Sequence, residues 1–267
     1  MISSDVCLSV LLITYNEEAN IGRTLSSLSW VSSIVVVDSG STDATLQILS
    51  GFPGVRLLHR SFDNFANQCN FGLGQVDSRW ILSIDADYVI TPALASHIQR
   101  SIAEGANDIE AFSIPFRYCV AGKPLRGTIL PPRLALLRRG CGRYINDGHA
   151  HKLVVSGRTK MLLEPILHDD RKSLDRWLSA QQGYLRLEAN KLSQTPFSQL
   201  SSVDRLRKYS PLAPFAIFFV CLVCKRGLLD GWRGWFYAFQ RMYAEILLKL
   251  LLLDLSRVQS TPPSTGS

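Results

Sequence analysis

The sequence has little charge and no long hydrophobic run. Of its 267 residues 19% are charged and 46% are hydrophobic, which excludes a disordered chain and leaves enough apolar side chains for a substantial core. The apolar stretch 211–224 is shorter than the roughly 20 residues that a membrane-spanning helix needs. The stretch 238–255 carries a polar residue at every fourth position, Arg241, Glu245 and Lys249. We therefore expect neither stretch to cross lipid, and we expect 238–255 to lie in an interface or to pack on a partner.

Cysteine is also scarce, and its spacing excludes two classes of small domain. The six cysteines show neither a disulfide framework nor a paired zinc spacing: Cys7, Cys69, Cys119, Cys141, Cys221 and Cys224. The last two form a Cys-x-x-Cys within an apolar run, which predicts buried thiols and a reducing compartment. The apolar segment 8–13 lacks a basic region before it and a cleavage site after it, so we predict a first strand rather than a signal peptide.

The excess positive charge is confined to the last third of the chain. The net charge is +7, with 15 basic and 16 acidic residues in 1–170 but 14 basic and 6 acidic residues in 171–267. Because this basic third is also apolar, it favours an anionic membrane surface as partner, with Arg205, Arg207 and Lys208 among the contacts. The basic residues are interleaved with Phe and Leu, which disfavours nucleic acid. The expected location is cytoplasmic, peripheral on the inner face of the cytoplasmic membrane.

The first hundred residues alternate short apolar runs with amphipathic stretches. Strands are predicted at 8–13, 34–37, 55–58 and 80–84, with helices between them, the second capped by Ser41 or Thr42. This pattern predicts an α/β fold, with a doubly wound, mostly parallel sheet and helices on both faces.

The rest of the chain divides into a strand-like middle and a helical end. Short strand-like runs occur at 112–116, 134–137 and 152–155, and a helical period begins at Ser173. Polar clusters rich in Pro, Ser and Thr at the C-terminus predict a disordered tail over 258–267.

Three polar clusters follow predicted strands: Thr14-Tyr15-Asn16-Glu17, Asp38-Ser39-Gly40-Ser41 and Asp85-Ala86-Asp87. Ligands of parallel α/β sheets bind outside the carboxyl ends of the strands, so these clusters are expected to share one site. Paired carboxylates suit Mg²⁺ or Mn²⁺ shared with substrate phosphates, and such a cation neutralises the charge of a departing diphosphate.

The same segments resemble a known family. Leu-Ser-Val-Leu-Leu-Ile-Thr-Tyr-Asn-Glu-Glu, Ile-Val-Val-Val-Asp-Ser-Gly-Ser-Thr-Asp and Leu-Ser-Ile-Asp-Ala-Asp are similar to the signature blocks of family 2 glycosyltransferases with the GT-A fold, in order and spacing over 8–88. Phe-Ala-Asn-Gln-Cys-Asn-Phe-Gly, His-Asp-Asp-Arg-Lys-Ser-Leu-Asp-Arg-Trp and Gly-Leu-Leu-Asp-Gly-Trp resemble the lipopolysaccharide-core glucosyltransferase (WaaE-like) branch.

The resemblance implies roles for individual residues. A metal ion would be held by Asp87, with His168 completing the metal or diphosphate site. The nucleoside of the donor would be held by the Thr14-Tyr15 backbone, by Glu17 through the ribose hydroxyls, and by Asp38, which would accept from the base ring. The donor pocket would be lined by Asn67, Gln68 and Asn70, and Asp85 would contact the ribose or the sugar. One departure is Tyr88, because many relatives have Glu after the second Asp, which bears on the groups supporting the metal site.

An inverting transferase also needs a general base that deprotonates the acceptor hydroxyl. Relatives often have His-Glu where this chain has His151-Lys152, which leaves that role open here. The remaining candidates are Asp147, Asp169 and Asp170.

These expectations combine into one function with several alternatives. The leading hypothesis is inverting transfer of a hexose from a nucleotide diphosphate-sugar, UDP favoured over GDP, to a lipid-linked or cell-surface glycan acceptor of lipopolysaccharide or exopolysaccharide synthesis. The alternatives are a polyprenyl-phosphate glycosyltransferase, a nucleotidyltransferase, and a non-catalytic glycan- or membrane-binding module. Thr14 to Asn20 contains no Gly, Lys or Arg, which argues against the nucleotidyltransferase.

The predicted organisation has three parts. Residues 1–170 form the GT-A nucleotide-sugar-binding and catalytic domain, 171–257 a helical, basic and apolar extension associated with the membrane, and 258–267 the tail.

Overall fold

A computed structural model describes residues 8–104, 108–147 and 150–260. The chain divides into two compact units. The first contains the residues up to Pro124 together with Leu130–Lys172, and the second contains Leu125–Ile129 and the residues from Ser173 onward. The second unit therefore takes a five-residue segment from within the chain of the first.

The first unit begins with a repeated strand–helix pattern. Its elements are β1 (Leu8–Thr14), α1 (Ile21–Ser26), β2 (Ser33–Asp38), α2 (Thr45–Ser50), β3 (Val55–His59), α3 (Phe65–Gly74) and β4 (Trp80–Asp85). The four predicted strands are all present, each extended by one or two residues. The helix cap was predicted wrongly, because α2 follows Ala44 without a side-chain cap. Ser41 instead accepts a hydrogen bond from the Asn16 amide.

The remainder of the first unit is mostly strand. Its elements are β5 (Tyr88–Val89), α4 (Pro92–Ala103), β6 (Ile109–Ile114), β7 (Phe116–Val120), β8 (Lys123–Pro124), β9 (Arg133–Arg138), β10 (Gly142–Asp147), β11 (Ala150–Val155), β12 (Arg158–Met161) and β13 (Ile166–His168). The run 112–116, predicted as one strand, is divided at Pro115 between β6 and β7, which belong to different sheets. Proline has no amide hydrogen to donate to a strand ladder, so it marks the break.

The central sheet has the strand order β12-β6-β9-β4-β1-β2-β3. The pairs β4–β1, β1–β2 and β2–β3 are parallel, and β9 runs antiparallel to both of its neighbours. Alternate residues of β1 enter two separate cores, with Val10 and Leu12 on one face and Leu11 on the other. A sheet buried on both faces explains why its strands are continuously apolar, and it confirms the predicted α/β, mostly parallel architecture.

The second unit is helical. It contains α5 (Leu174–Gln194), α6 (Ser202–Tyr209), α7 (Ala213–Phe219) and α8 (Trp232–Ser260), joined in part by single turns of 3₁₀ or π helix. The helix predicted from Ser173 is α5, and the Ser173 side chain caps it. The core of the second unit lies between α5 and α8, around Leu192 and Leu248. The predicted tail overlaps the end of α8 at 258–260, and its residues 261–267 lie outside the described part of the chain.

Two of the three basic side chains predicted to contact a membrane are instead bonded to groups within the second unit. Arg207 lies between Glu188 and Glu245, at 2.9 and 3.0 Å. The Lys208 ammonium donates to the carbonyls of Ser193 and Thr195 at 3.4 and 3.3 Å. Among the described residues, none of the helices combines the length and the apolar character required to traverse a bilayer.

Candidate active site

Three polar loops meet at the carboxyl edge of the central sheet. Strands β4, β1 and β2 are neighbours in the sheet, with Ile13 beside Asp85 and Thr14 beside Asp38 in the strand register. The strand ends that were predicted to share a site are therefore adjacent.

The loop after β1 is hydrogen-bonded to the loop after β2. Asn16 has a positive φ of 53°, and its side-chain oxygen accepts from the Thr42 amide at 2.7 Å. The Glu17 amide donates to the Thr45 hydroxyl at 2.7 Å. Thr14 is buried and its hydroxyl has no hydrogen-bond partner, whereas the Tyr15 side chain is exposed. The loop thus offers a hydroxyl and an aromatic ring on a fixed backbone.

Asp38 shapes the second loop. Its buried carboxylate accepts from the amides of Gly40 and Ser41 at 2.8 and 2.9 Å, and His59 Nδ1 lies 3.6 Å away. Gly40 has a φ of 93°, a conformation that disfavours any side chain. Asp38 therefore holds the turn, and its predicted contact with the donor base stays a prediction.

The three predicted amides of the helix α3 region are engaged within the protein. Asn67 donates to Asp63 at 2.8 Å, and buried Gln68 donates to Ser39 at 2.9 Å. Asn70 forms two hydrogen bonds with the Tyr144 backbone, at 2.9 and 2.8 Å, and so joins α3 to β10. The structure gives these amides a bracing role, and their donor contacts stay predictions.

Asp85 ends β4 and faces a cavity of about 330 Å³. The hydroxyl of Tyr88 is hydrogen-bonded to the Asp85 carboxylate, and burial raises the pKa of Tyr88 well above its usual value. The ring of Tyr88 also packs edge-on against His168, with ring centroids 5.2 Å apart. Tyr88 thereby supports both sides of the Asp-x-Asp segment.

Asp87 and His168 form a largely buried pair. His168 Nε2 lies 2.9 Å from Asp87 Oδ2, and the strand register places His168 opposite Tyr88. Burial opposes protonation of His168, but the Asp87 carboxylate outweighs it and raises the pKa of His168. The second oxygen of Asp87, Oδ1, is buried without a hydrogen-bond partner. A buried carboxylate oxygen left unsatisfied is costly unless a ligand completes it.

The segment 168–172 fastens these loops together. Asp169 is buried between Arg23 and Arg171, at 3.2 and 2.9 Å. Asp170 accepts from Asn20 at 2.9 Å, and the Lys172 ammonium is paired with Glu17.

Glu17 is an acidic group of this network whose ionisation is strongly altered. Burial and the charge of Asp87 raise the pKa of Glu17 to about 7, although Lys172 opposes the shift. Glu17 is consequently poised between its neutral and charged forms near neutral pH.

The three candidates for a general base are placed differently. Asp169 is held by two arginines and Asp170 by Asn20 and the Lys172 amide. Asp147, by contrast, lines the same cavity as Asp85.

The cavity contains residues to which the sequence assigned no role. It is also lined by Arg133, Tyr144, His151 and Lys152. Partial desolvation opposes protonation of Arg133, but nearby Tyr88 and Asp85 outweigh it and raise the pKa of Arg133. Burial lowers the pKa of His151, whose ring stacks on Phe65 at 5.5 Å. An arginine directly after Pro131-Pro132, at the start of a strand, was the available sequence signal.

Among the described residues no cluster of three His, Cys, Asp or Glu side chains forms a complete metal site. Asp87 and His168 would supply two protein ligands, and the Oδ1 atom of Asp87 has no hydrogen-bond partner in the protein. This donor set fits a divalent cation whose remaining ligands come from a substrate or water.

Comparisons with known proteins bear on the family and the fold. Residues 9–161 match the model of the family described as glycosyl transferase family 2. The lipopolysaccharide core biosynthesis glycosyltransferase LpsC of Rhizobium meliloti is 30% identical over 241 residues, which cover 85% of this chain and 83% of that protein. An uncharacterized glycosyltransferase of Rickettsia typhi is 30% identical over 102 residues, 38% of this chain and 35% of its own.

Solved structures show the same fold at low identity. The mannosyltransferase PcManGT of Pyrobaculum calidifontis, in complex with GDP-Man and Mn²⁺, has a TM-score of 0.55 at 15% identity and covers 92% of this chain and 87% of that one. Residues 1–349 of S. aureus TarS, in complex with UDP-GlcNAc, give 0.50 at 15% identity, with coverage of 94% and 92%. The family match over more than half of the chain and the relative aligned over most of it lead to one conclusion: this protein belongs to glycosyl transferase family 2.

Proposed function

We propose that this glycosyltransferase moves a hexose, with inversion, from a nucleotide diphosphate-sugar to a lipid-linked or cell-surface glycan acceptor. The observation that carries the proposal is the unsatisfied Oδ1 of Asp87, paired through Oδ2 with His168 at the carboxyl edge of the sheet. This buried carboxylate oxygen lies beside two loops that suit a nucleotide. A cation that also binds the diphosphate of the nucleotide would satisfy it.

Asp87 and His168 are the residues that would hold Mg²⁺ or Mn²⁺. When bound, the cation would offset the negative charge of the departing nucleoside diphosphate. Two of the neighbours in fold are supporting cases, since PcManGT is described with GDP-Man and Mn²⁺ and TarS with UDP-GlcNAc. We favour a UDP-sugar over a GDP-sugar.

The nucleoside would bind at the first loop. The Tyr15 ring is exposed and accessible to a ligand, whereas the Thr14 hydroxyl is buried without a partner, so the contact that we propose for these two residues is their backbone. Glu17 would accept from the ribose hydroxyls, with Lys172 holding its carboxylate in place. Asp85 would contact the ribose or the sugar from the cavity wall.

Asp147 is the general base that we favour. It shares the cavity with Asp85, whereas the carboxylates of Asp169 and Asp170 hold the 168–172 segment to α1 and its preceding loop. A base must reach the acceptor hydroxyl, and a carboxylate on the cavity wall meets that condition better than one inside a salt-bridge network.

The acceptor is proposed from the relative. LpsC carries the description of a lipopolysaccharide core enzyme, and its alignment covers 85% of this chain. We propose a lipopolysaccharide-type acceptor at the inner face of the cytoplasmic membrane, with the protein held peripherally on an anionic surface. Polyprenyl phosphate is the second acceptor to test.

The test measures release of nucleoside diphosphate from a panel of UDP- and GDP-sugars with Mn²⁺, Mg²⁺ or a chelator. Wild type should release it only with a divalent cation. Asp87→Asn should lose nearly all turnover, whereas Asp77→Asn, a control at an exposed Asp paired with Arg139, should retain it. Chelator-resistant turnover, or an active Asp87→Asn, would refute the metal assignment.

Two further readouts separate the alternatives. Release of pyrophosphate from a nucleoside triphosphate would favour nucleotidyl transfer. Product analysis with truncated lipopolysaccharide and with polyprenyl phosphate identifies the acceptor, and inversion is read from the anomeric configuration of the product.

A further inference from the structure

The longest helix of the second unit has two apolar faces. One face of α8 is buried against α5, with Ala244, Leu248 and Leu252 in the core of the unit. On the other face, large apolar residues remain exposed at alternating spacings of four and three: Trp232, Phe236, Phe239, Tyr243, Ile246, Leu250 and Leu253. Residues with this spacing form one stripe along a helix. The core of the unit therefore does not explain this stripe.

Helix α7 and the turn after it add to the exposed apolar area. Phe218 of α7 packs on α8, with its ring 5.9 Å from Trp235 and 5.1 Å from Phe239. The outward residues of this segment are exposed: Leu212, Phe215, Phe219 and Val223. These four residues and the seven of the α8 stripe are called the apolar surface below.

The backbone between α7 and α8 is tightly packed. A Cβ on Gly227 would lie 2.5 Å from the Cys221 carbonyl oxygen, and one on Gly234 would overlap the Gly227 carbonyl. Asp230 accepts from the amides of Arg126 and Gly127 at 2.8 and 3.2 Å. The segment that carries this part of the apolar surface is therefore held in place by backbone packing. Its exposed apolar side chains consequently favour a binding role over the chance exposure of loop residues.

In the part of the apolar surface that lies within 211–239, the exposed charge has one sign. Lys225 and Arg226 are exposed at the turn, and the Arg233 guanidinium lies 4.8 Å from the Trp232 ring. The single acidic residue of 211–239 is Asp230, which is engaged with the backbone of Arg126 and Gly127. Tryptophan and cations next to aliphatic side chains match the headgroup region of an anionic leaflet.

We propose that the apolar surface lies in the plane of the membrane, inserted into the headgroup and upper acyl region of an anionic leaflet, with Lys225, Arg226 and Arg233 at the lipid phosphates. This proposal deepens the proposed function. It rests on that function in one respect, the choice of a membrane as the partner. The buried face of α8 excludes a lipid-surrounded helix. Four of the seven positions flanking the stripe are uncharged, namely Trp235, Gln240, Met242 and Leu247, and Lys249 donates to the Lys208 carbonyl within the unit. The flanks therefore do not carry the regular Glu and Lys pattern that specifies a coiled-coil partner.

The experiment uses the full chain without donor, and vesicles of phosphatidylcholine alone or mixed with phosphatidylglycerol. Wild type should co-sediment with the mixed vesicles. The triple variant Leu212→Ser/Phe215→Ser/Leu250→Ser should bind at least about tenfold more weakly, because apolar area drives insertion. The matched control Leu163→Ser/Leu187→Ser/Val203→Ser removes equally exposed apolar residues elsewhere and should bind like wild type.

Charge and depth are tested separately. Lys225→Glu/Arg226→Glu should abolish the preference for phosphatidylglycerol. Brominated acyl chains should quench Trp fluorescence in wild type, and Trp232→Phe should reduce that quenching. A thermal melt of each variant checks that it folds.

Three outcomes would overturn the proposal: no binding by wild type, equal loss in the matched control, or a concentration-dependent dimer in sedimentation velocity that only the triple variant abolishes. The last would show that a second copy covers the apolar surface. Donor hydrolysis in detergent, measured on the same proteins, reports the proposed function independently of vesicle binding.

Discussion

Tyr88 changes the electrostatics of the Asp-x-Asp segment. A glutamate after the second Asp would put a third negative charge beside Asp85 and Asp87. Tyr88 instead offers a neutral hydroxyl to Asp85, and burial keeps that hydroxyl protonated by raising its pKa. The same ring packs against His168, which is paired with Asp87. One buried side chain therefore positions the proposed donor contact and the proposed metal ligand together.

Tyr88→Phe removes the hydroxyl but keeps the ring. We expect kcat/KM for the donor to fall about 10- to 150-fold, because a hydrogen bond to a charged group contributes roughly 1.5–3 kcal/mol. The variant should fold like wild type. Because Asp85 is proposed to bind the donor in the ground state, the fall in kcat/KM should appear mainly as a higher KM for the donor. Tyr209→Phe, at an exposed tyrosine of α6, is the control. Unchanged donor kinetics in Tyr88→Phe would refute this role.

Sequence could locate the acidic residues of the site but not their partners. Carboxylates at strand ends are predictable, because the strand pattern is local and parallel strands end at one edge. The partner of Asn70 is the backbone of Tyr144, 74 residues away, and that of Glu17 is Lys172, 155 residues away. Such pairs depend on the packing of distant segments, so the predicted donor role of Asn70 was drawn from the resemblance alone.

At the scale of elements, α5, α6 and α8 are joined by a buried cluster of charges. Arg207 on α6 contacts Glu188 on α5 and Glu245 on α8, and all three side chains are largely buried. Burial opposes ionisation of Arg207, but the two glutamates outweigh it and raise its pKa. A charge placed in this way fixes the register of three helices rather than serving as a surface cation.

Arg207→Met should destabilise the second unit by about 3–5 kcal/mol, because it leaves two buried glutamates without their cation. Chemical denaturation followed by circular dichroism measures the change. Arg205→Met, which removes a guanidinium lying 4.3 Å from the exposed Phe197 ring, should cost less than about 1 kcal/mol. Equal effects of the two substitutions would contradict the interior role of Arg207.

Elements were predictable where the pattern is local. The strands of the parallel core follow from runs of Val, Ile and Leu, and Ser173 caps α5 as a helix-start signal should. The cap of α2 was missed because Ser41 is occupied by Asn16, a contact between two loops. Arg207 looked like a surface cation because α6 is rich in charge, and only the three-helix packing shows otherwise.

Over the whole molecule, the family model and the relative cover different extents of the chain. The family model matches 9–161, which lie mostly in the first unit, whereas the alignment to LpsC extends over 241 residues and reaches the second unit. The apolar surface belongs to the second unit, so the part of the chain that we assign to the membrane lies outside the general family match.

The segment Leu125–Ile129 belongs to the second unit, and this assignment predicts how a truncated chain behaves. A chain ended after Lys172 keeps that segment but loses Asp230, Gly227 and Tyr237, which bond or pack against it. Buried Leu125 would be uncovered, so we expect the truncated protein to melt at a lower temperature than the intact chain or to aggregate. Asp230→Ala in the intact chain should produce a smaller loss, about 1–3 kcal/mol, because it removes only the carboxylate that accepts from Arg126 and Gly127. Differential scanning calorimetry of the three proteins gives the order. A truncated chain as stable as the intact one would mean that the segment needs no partner and that the first unit folds as an independent domain.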